Sequence, residues 1–546
     1  MNDPAKNLSH PREHSSKLAN LLRLFGPASL VTASAVSWSA LVTMTQVGGV
    51  AGFRLIWLIV ISCFLRGFIQ FELARYALSR GRSGLAALAE VPGPAISGRG
   101  NWLIWCWGLM WLASICQLGG LIGGAGSGLA VAVPVTEIGR DYNRLALLRI
   151  AQEGQASRSR LQPITSAPEP VSDSNSAVPT GTTAAELEAA LERMQAAYDR
   201  KYTTEVDGQR RIRSPADAML WSSLLVAVGT LLLVLQPTRW LTGVAISLVT
   251  VTLGLLVALF FGLQSQPQFA ITAGELASGF TFRFPLSPTG EPAFEIAWAA
   301  CALVGVGSLE LVLFPYWCQR HEPGPNAGAT GEEAERSSRW NAWLQFNTWV
   351  AISLTTLATL AFYLLGAAIL PRWGLVPAAN DLIRTLSAVL IPTLSSGLAQ
   401  AWLALAILVL LTSLLVITVG QSHAFADWLR VTGIIGQDAE SVNRWQRRLC
   451  GAVPVLAILM LLTYPNPARL IGVGLFAQAL MLPLLAIAAL YFRYHQTSGK
   501  NQTGGKTKAS SPANDSSNSW WDACLWLSAI AMLIIAGWTL YAGLAS

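Results

Sequence analysis

Residues 302–320 read ALVGVGSLELVLFPYWCQR, an apolar run with two glycines, Gly305 and Gly307, near its start and an acid, Glu310, three residues further on. Each glycine weakens a helix by about 1 kcal/mol relative to Ala, so a helix entering this run is expected to stop at the glycines and restart near Ser308. Glu310 then falls in the first turn of the new helix, where free N–H groups and the positive dipole end favour an ionised carboxylate. The run belongs to one of eleven apolar segments, at 24–46, 55–79, 102–132, 218–236, 241–262, 294–317, 341–369, 400–420, 449–464, 470–492 and 520–543. A helix of about 20 residues crosses a hydrocarbon core of roughly 30 Å. Only 12% of the residues are charged, 53% are hydrophobic and the mean hydropathy is +0.46, against about a quarter charged in soluble domains. Lipid is therefore the expected solvent. A backbone in lipid must satisfy its own polar groups, and no alternating ten-residue pattern of a barrel is present, so the expected class is all-α integral membrane.

A second interrupted stretch opens the chain's apolar part: residues 25–49, FGPASLVTASAVSWSALVTMTQVGG, crowd hydroxyls into the middle of a span. With spans one to five and six to ten taken as halves, each interrupted span opens its half. Such a pair in corresponding positions points to an inverted repeat with a binding site at the bilayer midplane, the architecture of secondary transporters. The expected fold is accordingly five plus five helices and one extra. The candidate site comprises Ser37, Ser39, Thr43 and Ser308 as neutral oxygens and Glu310 as the cation or proton ligand. An ionisable residue inside a span is a functional candidate by default; the alternative for Glu310 is a packing role against Arg66 or Gln70. Arg66 and Gln70, four apart on one helix face, and Gln117 in the third span are candidates for a gate or ion pair. Glu72 and Arg75 read as a pair at the inner end. Asn347, Thr412, Ser413 and Gln478 read as interhelical hydrogen-bonding residues.

The formal charge of +7 is distributed by loop. With the N-terminus inside, alternate loops and the tail hold twenty Lys and Arg, and the short loops of the other side hold five. The positive-inside rule then places the N-terminus in the cytoplasm and, with an odd number of spans, the C-terminus outside. The excess charge is topological and implies no nucleic-acid partner. The first 23 residues are polar and lack a cleavable hydrophobic region, so the first span is expected to be retained in a multi-pass protein of a bacterial inner or plasma membrane. The expected domains are 1–135 with spans one to three, an insert at 136–216, spans four to ten at 217–496, a flexible linker at 497–518 and the last span at 519–546. The insert is nearly charge-balanced. Its Ser/Pro/Thr-rich centre, 166–183, is expected to be disordered, and its flanks read as a short helical hairpin able to bind a protein partner or to gate. The loop at 263–292 and the linker carry no chemistry. The seven cysteines lack paired or metal-binding spacing. No nucleophile and base constellation, phosphate loop or dinucleotide fingerprint is present, so neither an enzyme nor a resident cofactor is expected.

The opening GPASLVTASAVSWSALVTMTQVGG followed by IQFELARYALSRG resembles the start of the NRAMP family of proton-coupled divalent-metal transporters. GVGSLELVLFPYWCQR, LLTSLLVITVGQSHAFADWLR and QALMLP at 478–483 extend the likeness over most of the membrane chain, outside the insert, and are closer to a divergent NRAMP-related branch than to the metal-importing core. The resemblance implies the LeuT-type inverted repeat of ten core helices with one peripheral helix. The family's Asp-Pro-Gly-Asn falls on Ser37, Trp38, Ser39 and Ala40, and its Met-Pro-His on Leu309, Glu310 and Leu311, so its usual metal ligands are replaced. One carboxylate with hydroxyls and carbonyls is a hard oxygen set, which suits Mg2+ better than Mn2+ or Fe2+. A proton, Na+ or a small organic solute could use the same groups. A sensor or scaffold that keeps the fold without transport is the remaining alternative.

Overall fold

The computed structural model describes residues 17–95, 99–161, 184–206, 209–212, 215–235, 238–285, 293–322, 332–375, 377–393, 396–502 and 519–545. The first described elements are α1 (Lys17–Ala35), a π-helical stretch (Ser39–Met44) and α2 (Thr45–Ala51), which together form one broken span. There follow α3 (Ile56–Ser79), the short α4 (Gly84–Leu88) and α5 (Trp102–Ala132). The insert contributes α6 (Glu137–Leu161), α7 (Ala184–Tyr202), β1 (Thr203–Val206) and β2 (Gln209–Ile212). The membrane part resumes with α8 (Asp217–Leu235) and α9 (Thr238–Gln264), and a loop carries α10 (Ala273–Ser278). The second broken span is α11 (Phe294–Leu303) with α12 (Ser308–His321). Then come α13 (Glu332–Trp373), α14 (Leu382–Thr393), α15 (Ser396–Val431), α16 (Ala439–Thr463), α17 (Pro467–Gln502) and α18 (Ser519–Ala545).

Among the described residues nine unbroken helices are long and apolar enough to cross a bilayer, and the bent pair Leu24–Ala35 with Ser39–Ala51 makes a tenth span; the remaining expected segment, 294–317, is divided between α11 and α12. Burial separates centre from rim. The apolar window of α3 and that of α5 are each 72% buried by protein, whereas that of α8 is 11% buried and that of α9 28%. The last two therefore spend their apolar surface on lipid, and the packed centre lies among α1, α3, α5, α12, α13, α15 and α17. Close backbone approach is part of that packing: a Cβ on Gly366 of α13 would lie 1.9 Å from the Thr45 carbonyl oxygen, and one on Gly48 of α2 would lie 2.0 Å from that of Tyr363.

Several local expectations need correction. The antiparallel pair β1–β2, with Thr203 opposite Ile212, is an exception to the all-helical class. The loop at 263–292 holds α10, whose start is fixed by a reciprocal cap: Thr272 Oγ1 accepts from Glu275 N, and Thr272 N donates to the Glu275 carboxylate. α17 continues to Gln502, into the stretch expected as linker, and 503–518 lie outside the described residues. So does the insert's centre at 166–183. The insert's flanks do pack as a hairpin, around Leu145, Tyr198 and Tyr202, a small core separate from that of the bundle. It docks on the bundle through Asn143, whose Nδ2 donates to the Ala130 carbonyl at 3.0 Å, and through Asp217, which accepts from Val135 N and Thr136 N at 2.7 and 3.1 Å.

Candidate site at the paired helix breaks

The first span bends by 61° between Leu24–Ala35 and Ser39–Ala51. The bend frees carbonyls at the end of α1, and Ser413 of α15 brings its hydroxyl to 2.9 Å from the Val36 oxygen and 3.2 Å from that of Ala33. Past the bend the chain takes a wide π turn, a form that recurs at functional sites. In the sixth span the helix stops at Leu303, and Val304–Gly307 form a non-helical link. Gly305 there has φ +74, a left-handed conformation that glycine adopts without steric cost. Gly307 has no space for a side chain: a Cβ would lie 2.3 Å from Gln478 Oε1 and 2.7 Å from Glu310 Oε2. The restart at Ser308 puts Glu310 in the first turn of α12, 5% exposed.

The two ends of the sixth-span break are held differently. At the α11 end, the Arg66 guanidinium of α3 donates to the carbonyls of Cys301 at 2.6 Å, Ala302 at 3.3 Å, Val306 at 2.9 Å and, in the shortest of the four contacts, Val304. At the α12 end, Ser308 Oγ donates to the Gln478 carbonyl at 2.6 Å, and Gln478 Nε2 donates to Gln117 Oε1 at 2.6 Å. Between them lies a cavity of about 20 Å³ lined by Ser37, Ser39, Arg66, Gln117, Glu310 and Gln478 among others.

The breaks thus bring together Ser37, Ser39, Arg66, Gln117 and Glu310, with Ser308 bracing the wall behind. Thr43 is half-buried and lies outside the cavity lining. Gln70 is fully buried one turn from Arg66, away from the cavity, and neither its amide oxygen nor its nitrogen has a partner among the described residues. Arg66 has no acid within ion-pair distance among the described residues; its partners are backbone carbonyls. Gln478, read from the sequence as an interhelical hydrogen-bonding residue, also lines the cavity, and its place in the QALMLP stretch is the signal that could have identified it. Glu72 is fully buried and pairs with Arg75 at 2.6 Å, as its spacing suggested, and it also accepts from Trp521 Nε1 at 2.9 Å.

A larger cavity of about 420 Å³ lies at the insert end of the bundle, between α6 and α7 of the insert and the ends of α5, α8 and α14. Trp38 lines it, while its chain neighbours Ser37 and Ser39 line the small one. The Trp38 ring fits against Gly124 of α5, where a Cβ would come within 2.2 Å of it.

No protein-family model matches the sequence, and no curated protein matches it. Among solved structures, the manganese transporter of Eremococcus coleocola superposes with a TM-score of 0.55 at 14% identity, over 97% of this chain and 88% of that one. The chain has the LeuT-type fold. MhsT in complex with L-phenylalanine aligns with a TM-score of 0.47 at 14% identity, over 97% of this chain and 100% of that one. A nucleobase-cation-symport-1 family transporter does so at 0.47 and 13%, over 95% and 92%. In this fold α1–α9 and α11–α17 hold the two five-span halves, α18 is the peripheral helix, and the two breaks occupy corresponding positions.

Proposed function

We propose that this chain is an NRAMP-related secondary transporter of a small cation, coupled to protons and working by alternating access. The observation that supports this reading is the buried carboxylate of Glu310, at the restart of a broken helix and lining a cavity of about 20 Å³. That volume is about one water molecule, so in this conformation it suits a bare ion or a proton. A hydrated Mg2+ or an organic solute fits only when the breaks move apart. The side-chain donors lining the cavity are hydroxyl, amide and carboxylate oxygens, and neither thioether nor imidazole is among them, which favours a hard cation such as Mg2+ over Mn2+ or Fe2+. Arg66 lines the same space and balances an ionised Glu310. A second fixed positive charge there is costly, so the cation binds as Glu310 gives up its proton toward the side the cation moves to. The basic end of the bundle, opposite the insert, faces the cytoplasm under the positive-inside rule.

Purified protein in liposomes carrying Mg2+-, Mn2+- and pH-sensitive dyes tests this reading. Cation entry with proton movement in the same direction, as in a symporter, is expected, and Glu310→Gln is expected to reduce it more than about tenfold, as loss of a metal's carboxylate support does. Undiminished flux in that variant would remove Glu310 from the site. The larger cavity favours a second reading: its 420 Å³ falls in the range of about 300–1,000 Å³ typical of small-molecule sites. A folded protein that moves no cation or proton, yet is thermally stabilised by a small organic solute, would select that reading instead.

A further inference from the structure

We propose that Arg66 is a built-in counterpart of a coupling cation: its guanidinium fills the carbonyl cage at the end of α11, and the chain therefore needs no sodium ion there. This rests on reading the paired breaks as the ion-handling centre. Broken spans of inverted-repeat transporters offer two kinds of group. Restarting N-termini face anions, whereas unwound carbonyls and half-helix C-terminal ends attract cations. In the sixth span the C-terminal end is already occupied. Cys301 and Ala302 belong to the last turn of α11, where the helix dipole is negative, and Val304 and Val306 belong to the unwound link. All four carbonyls accept from Arg66.

The arrangement is too complete for a passing contact. Arg66 is 1% exposed, and no acid among the described residues lies within ion-pair distance of it; Glu310 shares its cavity without contacting it. A buried charge without a paired acid persists only where fixed dipoles surround it, and four carbonyls converging on one guanidinium supply them. Guanidinium is the natural occupant: it is planar, always charged, and presents donors in several directions at once, whereas a bare monovalent ion needs its own shell of oxygens. A covalently tethered cation has a high effective concentration and cannot leave with the cargo. It holds the break open in both halves of a cycle and leaves Glu310, at the other end of the link, as the group whose charge changes.

The test needs no transport assay, so its outcome is separate from that of the proposed function. Wild-type protein in detergent is expected to show the same unfolding temperature in sodium chloride as in the same concentration of N-methylglucamine chloride. Arg66→Ala empties the cage; its unfolding temperature is expected to fall by about 5 °C or more and to be restored, at least by half, by guanidinium ion, and to a smaller extent by sodium. Arg66→Lys, which keeps a tethered charge, is expected to lie closer to wild type than Arg66→Gln, which keeps only neutral donors. That pair decides the matter if Arg66→Ala cannot be recovered. The proposal is overturned if wild type itself requires sodium, if neither cation restores Arg66→Ala, or if Lys is no better than Gln.

Discussion

Gly307 is the residue on which the site's geometry turns. Its missing side chain is what lets the Gln478 amide and the Glu310 carboxylate converge over the restart of α12, since a Cβ there would sit 2.3 and 2.7 Å from their oxygens. Both are ends of side chains, so Gly307→Ala is expected to fold and to swing them apart. Cation uptake should fall about tenfold or more, the scale seen when a metal's supporting shell is disturbed, with little loss of secondary structure by circular dichroism; uptake equal to wild type would show that the two oxygens need not converge. Some of this residue chemistry was legible in the sequence. Two glycines and an acid within six positions give a stop, a restart and a first-turn carboxylate from local rules alone. The role of Arg66 was not legible, because its partners lie some 235–240 positions away on a different span. A pattern search looks for an opposite charge, whereas its actual counterpart is a set of backbone dipoles that no residue letter encodes.

At the scale of elements, the half-helix α12 is tied down at the end farthest from the insert. Tyr316 Oη donates to Asp427 Oδ2 of α15 at 2.5 Å, Ser83 Oγ donates to the same oxygen at 2.6 Å, and Arg430 pairs with the other carboxylate oxygen. Ser83 also caps α4, accepting from Ala86 N, so one carboxylate fastens α4, α12 and α15 together. A hydrogen bond to a charged group is worth about 1.5–3 kcal/mol, and loosening it by Tyr316→Phe should raise the population in which α12 swings free by roughly ten- to a hundredfold. Cys318, fully buried one half-turn further along, reports this: with the other six cysteines replaced, its maleimide labelling should accelerate by that factor, and an unchanged rate would mean that the tether does not limit motion. Element positions were the most legible feature of the sequence, because lipid demands long uninterrupted apolar helices. The π turn at Ser39–Met44 was not, since hydroxyl crowding marks a weak point without specifying how the backbone relaxes. Nor was the β-hairpin of the insert, whose eight strand residues follow directly on a strongly helical, charge-rich segment that dominates any local reading.

On the scale of the whole molecule, the insert covers the larger cavity, and its hold on itself is electrostatic as much as apolar. Tyr202 Oη and Lys201 Nζ both donate to Asp141 Oδ2, at 2.8 and 3.1 Å, and Lys201 also reaches Glu137 at 2.6 Å. The Tyr202 hydroxyl and then Lys201 hold the Asp141 carboxyl below its usual range, while Glu137 first, then Tyr202 and Asp141, push the Lys201 ammonium above its own. Linkage gives opposite signs to the two. The contribution of Asp141 is fully present above its unfolded pKa of about 3.9 and is lost as pH falls through the depressed folded value; that of Lys201 is fully present below about 10.4 and is lost as pH rises through the raised one. The α6–α7 contact should therefore be indifferent to pH across roughly pH 5–9 and loosen only beyond both limits. Amide-exchange protection factors in α7, corrected for intrinsic rates, check this: a plateau through neutrality with decline at the acid and alkaline ends is expected, and the decline should be absent in Asp141→Asn on the acid side alone. Protection that instead fell in the middle of the plateau, where neither group titrates, would mean that the hairpin is held by something other than this cluster, and that the cover over the large cavity opens by a route the insert's own charges do not control.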